Sequence, residues 1–185
     1  MNPDQLGDHL PTLHGDDLVL RWMTTEDVPA LRAIFSDADV VRFMSIAQLT
    51  SQDATLAFLD RIHNGFDGGT LYQWGVQLEE AIVGTCTVAS INRDHRRAEL
   101  GFALAKRFWG RGLMRQALPR VVDFAFERLH LHRIEADTDP RNVASMRVLE
   151  RLGFQQEGFL RERYFQFGEA QDAVVFGLLR REWVT

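Results

Sequence analysis

A single cysteine, Cys86, is all the thiol chemistry the chain carries, which excludes an intramolecular disulfide framework. It sits in the alternating run Val83-Gly84-Thr85-Cys86-Thr87-Val88, where a small buried thiol fits better than a nucleophile. No apolar run is long enough to span a bilayer. Met1-Asn2-Pro3-Asp4-Gln5 is acidic and polar, unlike a secretory signal, so cytoplasmic residence is expected. The six histidines show no metal-ligand spacing, and His130 and His132 merely flank a helix-to-strand junction, so no metal is expected. Basic residues are outnumbered, 21 Lys and Arg against 26 Asp and Glu. A net charge of −5 argues against a general nucleic-acid binder and agrees mildly with a cationic ligand. The triphosphate-binding Gly-x-x-x-x-Gly-Lys-Ser/Thr pattern and the three-glycine dinucleotide fingerprint are both missing.

What remains is the pattern of a mixed α/β domain. Residues 1–14 carry Pro, Gly and His without periodicity and read as a flexible lead-in, with 15–185 as a single domain. Asp17 to Met23 is predicted as a first strand. A helix capped by Thr24 or Thr25 follows across Val28, Leu31, Ile34 and Phe35, and a second around Gln52–Asn64. Thr70 to Leu78 and Ala81 to Ile91 read as a hairpin turning at Glu79-Glu80. A strand through Glu99 comes next, and then a helix over Met114, Ala117, Leu118, Val121, Val122, Ala125 and Leu129. A strand at His132–Thr138, a helix at Val143–Leu152 ended by Gly153, and strands around Phe154–Phe167 and Ala173–Leu179 complete the chain. Pro119 interrupts the longest helix pattern and should kink it.

Between the Glu99 strand and that helix lies Arg107-Phe108-Trp109-Gly110-Arg111-Gly112. Two glycines at a helix entry let the backbone turn and aim N–H groups outward, where the helix dipole and two arginines add positive charge. The hexapeptide is either an anion cradle suited to a pyrophosphate or an ordinary strand-to-helix turn. Downstream, Asp139-Pro140-Arg141-Asn142-Val143-Ala144-Ser145 opens a short helix ending Leu152-Gly153-Phe154.

Arg-x-x-Gly-x-Gly, a strand, and Asn-x-x-Ser opening a helix that ends Leu-Gly-Phe resemble the GNAT superfamily of acyl-CoA-dependent N-acetyltransferases. The wording Asp139-Pro140-Arg141-Asn142 to Arg147-Val148-Leu149-Glu150-Arg151-Leu152-Gly153-Phe154 resembles its ribosomal-protein N-terminal, or Rim-type, branch. The likeness starts at Leu18-Val19-Leu20-Arg21 and ends at Leu178-Leu179-Arg180-Arg181-Glu182-Trp183. It implies a GNAT-like fold, a mixed sheet of about seven strands flanked by about four helices. It implies acetyl-CoA as cofactor and a peptide N-terminus or small amine as acceptor, with no membrane partner and a homodimer left open. Small-molecule acetylation of a polyamine, amino acid or amine antibiotic, and a non-catalytic acyl-CoA sensor, stand as alternatives.

The resemblance assigns the backbone from Arg107 through Phe108, Trp109, Gly110 and Arg111 to Gly112 to the pyrophosphate. It assigns the strand backbone of Phe102, Ala103 and Leu104 to the pantetheine amides. Asn142 matches the family's CoA-contacting asparagine, though it equally reads as a helix cap. Glu99, pointing with Gly101 and Ala103 away from Ala98, Leu100, Phe102 and Leu104, is the candidate base through water, or else a solvated strand residue. Many relatives carry a tyrosine acid where this chain has Leu149. Ser145, one turn beyond Asn142, and Tyr164 therefore compete as thiolate donor, with Tyr164 also readable as a plain strand aromatic. Acceptor choice is expected from Thr25–Gly65 and from the loop Gln166–Asp172.

Overall fold

The computed structural model describes residues 4–166 and 168–184. One eight-stranded sheet runs in the order β1-β2-β3-β4-β5-β6-β8-β7. Its strands are β1 (Leu13–His14), β2 (Leu18–Arg21), β3 (Leu71–Leu78), β4 (Ala81–Asn92), β5 (Arg97–Leu104), β6 (Arg133–Thr138), β7 (Gln155–Gln166) and β8 (Glu169–Leu179). The helices are α1 (Val28–Phe35), α2 (Ala38–Val41), α3 (Gln52–Asp67), α4 (Leu113–Glu127) and α5 (Val143–Arg151). Every strand pairing is antiparallel except β5 with β6. That exception follows from connectivity, because α4 is the crossover that a parallel pair requires.

Alternation along the strands divides the core in two. Trp74, Val76, Cys86, Val88, Ala98, Leu100, Ile134, Ala136, Phe176 and Leu178 pack with Leu118, Val122 and Ala125 of α4. Met23, Ile82 and Ala103 pack on the other face with Leu31, Ile34 and Phe35 of α1 and Phe58, Leu59 and Ile62 of α3. Each fully buried Val, Leu, Ile, Phe or Met among them contributes about 1.5–3 kcal/mol relative to exposure. The helical spacing of Val28, Leu31, Ile34 and Phe35 thus does what the sequence promised. Thr24 receives the Glu26 N–H, and the Asp27 carboxylate receives the Thr24 N–H at 2.8 Å, closing the cap ahead of α1.

Three features exceed the sequence reading. The sheet has eight strands because Leu13–His14 adds an edge to β2. Leu10 is 1% exposed, and the Trp74 indole donates to the Pro11 carbonyl at 2.9 Å, so the described part of the lead-in packs on the core. A fifth helix, α2, is a single turn capped by Asp37, too short for periodicity to announce it. Pro119 lies within α4, which continues through it as one 15-residue element. The expected end at Phe167 of the strand around Phe154–Phe167 lies outside the described residues.

Candidate active site

The decisive local event is the parting of β5 and β6. They register over Arg97–Arg133, Ala98–Ile134 and Glu99–Glu135, and their pairing goes no further. Yet β5 runs on to Leu104 and β6 to Thr138. The Ala105 N–H donates to the Val83 carbonyl at 2.8 Å, which makes that a directly bonded pair in the antiparallel β4–β5 ladder. By alternation, the N–H and C=O groups of Leu100, Phe102 and Leu104 point away from β4, into the opening, whereas those of Ala103 point to Thr85 of β4, so Ala103 does not offer the backbone groups expected of it for pantetheine. The indole of Trp109 already donates to the Leu104 carbonyl at 2.6 Å.

A cavity of about 210 Å³ occupies this opening. Thr87, Ala89, Glu99, Gly101 and Asp137 line it from the α1–α3 face, with Phe43, Met44 and Ser45 after α2 closing over them. Leu100, Phe102, Ala136, Thr138, Asn142, Ser145 and Leu149 line it from the α5 face. One cavity therefore opens to both sides of the sheet. Two ligands could approach from opposite faces and meet at the gap.

On the α5 side, the Asn142 side-chain oxygen accepts the Ser145 N–H at 3.2 Å, so Asn142 is the helix cap. Its amide N–H₂ group is left for a ligand, so the capping and contacting roles coexist. Asp139 braces the preceding turn, accepting the Arg141 N–H and Nε at 2.8 Å each and Nη2 at 2.6 Å. Those bonds hold its carboxyl below the ordinary aspartate range. Leu149 is 1% exposed and forms apolar wall in the cavity.

The loop from Arg107 to Gly112 leads into α4 with both glycines in left-handed backbone, φ 74° at Gly110 and 77° at Gly112. L side chains adopt that region at a cost, which explains the glycines. Gly112 is the cap residue of α4, and no side chain bonds the helix's first N–H groups. Arg107 and Arg111 stack on the Phe108 ring at 4.9 and 5.2 Å. Two guanidinium groups and the open N–H donors of a helix start thus share one short loop, the elements of an anion site.

On the opposite face, Glu99 is exposed and lines the cavity, while Ala103 is buried against α1 and α3. This is the alternation expected from sequence. Ser145 lines the cavity too, but Tyr164 does not; its hydroxyl donates to the Asp137 carboxylate in the cavity wall. Burial, then that carboxylate, pushes the Tyr164 phenol up to about 12, a poorer match to a thiol than an ordinary tyrosine. Asp137, Thr138 and Phe43–Ser45 are cavity residues the sequence reading did not name. Phe43–Ser45 does fall within the segment expected to choose the acceptor. None of the described residues of the Gln166–Asp172 loop lines the cavity.

With the geometry in view, comparison with known proteins decides the family. The Acetyltransferase (GNAT) domain matches residues 17–155. The chain belongs to the GNAT acetyltransferase family. It is 32% identical over 176 residues, 94% of this chain and 99% of the other, to an uncharacterized N-acetyltransferase p20 of Bacillus licheniformis. It is 26% identical to the [ribosomal protein uS5]-alanine N-acetyltransferase of Escherichia coli, over 91% of this chain and 90% of that one. The structure of spermidine N-acetyltransferase from Vibrio cholerae in complex with CoA and spermine aligns with a TM-score of 0.81 at 22% identity, covering 91% of this chain and 99% of that one. The sheet and the flanking helices are thus those of the GNAT fold.

Proposed function

We propose that the protein transfers an acetyl group from acetyl-CoA to a primary amine, by direct attack in a ternary complex, and that the acceptor is a protein N-terminus of the ribosomal type. The observation that carries this reading is the cavity that opens to both faces of the sheet at the parting of β5 and β6. Acetyl-CoA supplies a thioester carbonyl whose C–S bond breaks as the new C–N bond forms. The loop Arg107–Gly112 and the uncapped start of α4 suit its pyrophosphate, and the outward backbone groups of Leu100 and Phe102 suit its amides. Asn142 offers donors beside them, and Ser145 a hydroxyl toward the departing sulfur.

From the other face, Glu99 takes the proton that the attacking ammonium must lose, through an intervening water. No covalent enzyme intermediate is needed, because a neutral amine is itself a strong nucleophile. The uS5-alanine relative favours a peptide N-terminus as acceptor, and the spermidine enzyme favours a polyamine as the second reading. A cytoplasmic location accords with either.

Acetyl-CoA at about 100 times its dissociation constant should stabilise the protein by about 2.7 kcal/mol, a rise in Tm of roughly 5–10 °C. Thiol release should then follow with at least one member of a panel of N-terminal peptides and small amines. No thermal shift at millimolar acetyl-CoA overturns the reading. A shift without thiol release on any acceptor leaves an acyl-CoA sensor.

A further inference from the structure

Three carboxylates share the α1–α3 face where the strands part. Glu99 and Glu135 are register partners, and Asp137 lies two residues along β6 on the same side, about 7 Å further down the strand. Glu135 is already neutralised, accepting from Arg97 and Arg133 at 2.7 Å each. Arg133 reaches on across Gly177 to Glu157, where an added Cβ would sit 2.7 Å from its guanidinium, so the glycine is what lets this ladder cross β8. Two arginines and two glutamates close that ladder at zero net charge.

Asp137 is held differently. Its partner is the phenol of Tyr164, a neutral donor, which fixes the carboxylate without cancelling its charge. Among the described residues, Glu99 and Asp137 are the two ionisable side chains that line the cavity, and Arg42 and Arg141 lie over the ring of the lining residue Phe43, 5.0 and 5.5 Å from its centre. Arg163 lies over the Tyr164 ring, 5.6 Å from its centre, and is exposed.

Resting on the acetyltransferase reading above, we propose that Asp137 binds the cationic amine of the acceptor and that Tyr164 is its positioning residue. Glu99 then removes a proton from an ammonium that Asp137 has already drawn into the gap. The site selects acceptors that arrive charged, and the Tyr164 hydroxyl serves the acceptor side of the gap.

The test compares wild type with Asp137→Asn and Tyr164→Phe, using an alanine-initiated peptide, spermidine, and 2,2,2-trifluoroethylamine as an amine that is neutral at the assay pH. Asp137→Asn should raise KM for the cationic amines about ten- to hundredfold and leave KM for acetyl-CoA unchanged. The preference over the neutral amine should collapse by the same factor. Tyr164→Phe should shift the amine KM in the same direction by about two- to tenfold, with kcat nearly kept. In parallel, calorimetry measures binding of the peptide and of spermidine to protein saturated with CoA.

Unchanged amine KM and selectivity in Asp137→Asn refute the proposal, as does a loss confined to kcat in Tyr164→Phe, which would make Tyr164 the thiolate acid. Wild type that binds neither peptide nor spermidine also refutes it. Binding that depends on Asp137 without thiol release upholds it and overturns acetyl transfer instead. If Asp137→Asn does not fold, Tyr164→Phe, which removes one hydroxyl from a half-buried ring, decides by the same KM criterion.

Discussion

Replacing Glu99 with glutamine removes proton acceptance and little else. The side chain is exposed, its shape is preserved, and the neighbouring Arg97–Glu135–Arg133 ladder does not use it. Stability should stay within about 0.5 kcal/mol of wild type. Turnover should fall about 10²–10⁴-fold near neutral pH, with KM for acetyl-CoA unchanged, because the proposed cofactor contacts lie on the other face. The pH dependence of the loss then identifies the acceptor. A peptide α-amine with a pKa near 7.8 is roughly 14% free at pH 7, and an alkylamine near 10.4 roughly 0.04%. Securing the free amine is thus worth at most about 7-fold for the peptide but about 2,500-fold for the polyamine. For a peptide, the penalty should shrink by less than tenfold between pH 7 and 9. For a polyamine, it should keep shrinking by about tenfold per pH unit. Thiol release measured from pH 6 to 10 on both acceptors reads this directly. Full activity of Glu99→Gln below pH 7, or a loss independent of pH on both acceptors, refutes the assignment of Glu99 as base.

Other outcomes follow from the same geometry. Asn142→Ala should cost about 0.5–2 kcal/mol as a lost cap and raise KM for acetyl-CoA several-fold, checked by thermal unfolding and steady-state kinetics. Gly112→Ala forces an alanine to φ 77° with no steric neighbour in the way, so it should cost about 1–2 kcal/mol from backbone alone. The same variant should weaken acetyl-CoA more than the acceptor, read by thermal shift with each. Burial pushes the Asp27 carboxyl up, but hydrogen bonds from Arg21 and the Thr24 N–H outweigh it and hold the group below its ordinary value. Its stabilisation is therefore full above about pH 4 and lost as pH falls through the lowered folded value. Asp27→Asn should cost about 1.5–3 kcal/mol at pH 7 and flatten the acid limb of a stability-versus-pH curve. Burial raises the Cys86 thiol and shuts out solvent, so alkylation should proceed only through unfolding and track denaturant concentration.

The elements that sequence makes legible are those whose signals are local and repeated. Val28, Leu31, Ile34 and Phe35 mark a helix because spacing alone puts them on one face, and they are buried on it. The alternation from Ala98 to Leu104 separates Glu99 from the apolar face for the same reason, and the two core clusters observe that division. The β1 strand and the packed segment ahead of it were not legible. Leu10 and Leu13 are isolated apolar residues among Pro, Gly and His, and what orders them is Trp74, 63 residues beyond Pro11, together with pairing to β2. The single turn of α2 rests on its Asp37 cap and on burial of Val40 and Val41, too few residues to show a period.

The candidate site divides along the same line. Glycines at Gly110 and Gly112 and the Asn142 cap announce themselves, because each answers a backbone requirement that few residues meet. Asp137 has no such signature. In sequence it is one more polar residue in Arg133-Ile134-Glu135-Ala136-Asp137, indistinguishable from Glu135. The difference is made by partners on other strands: Arg97 and Arg133 for Glu135, and Tyr164, 27 residues later, for Asp137. Tyr164 itself drew notice for its phenol, and its neighbour changes what that phenol is suited to do. A hydroxyl donating to a carboxylate, with its pKa pushed up to about 12, holds its proton more firmly than a thiolate acid should. Its chemical use is to hold Asp137 in place with the negative charge intact. Sequence could name the residues capable of proton transfer here, but the parting of β5 and β6 determines which face each one serves.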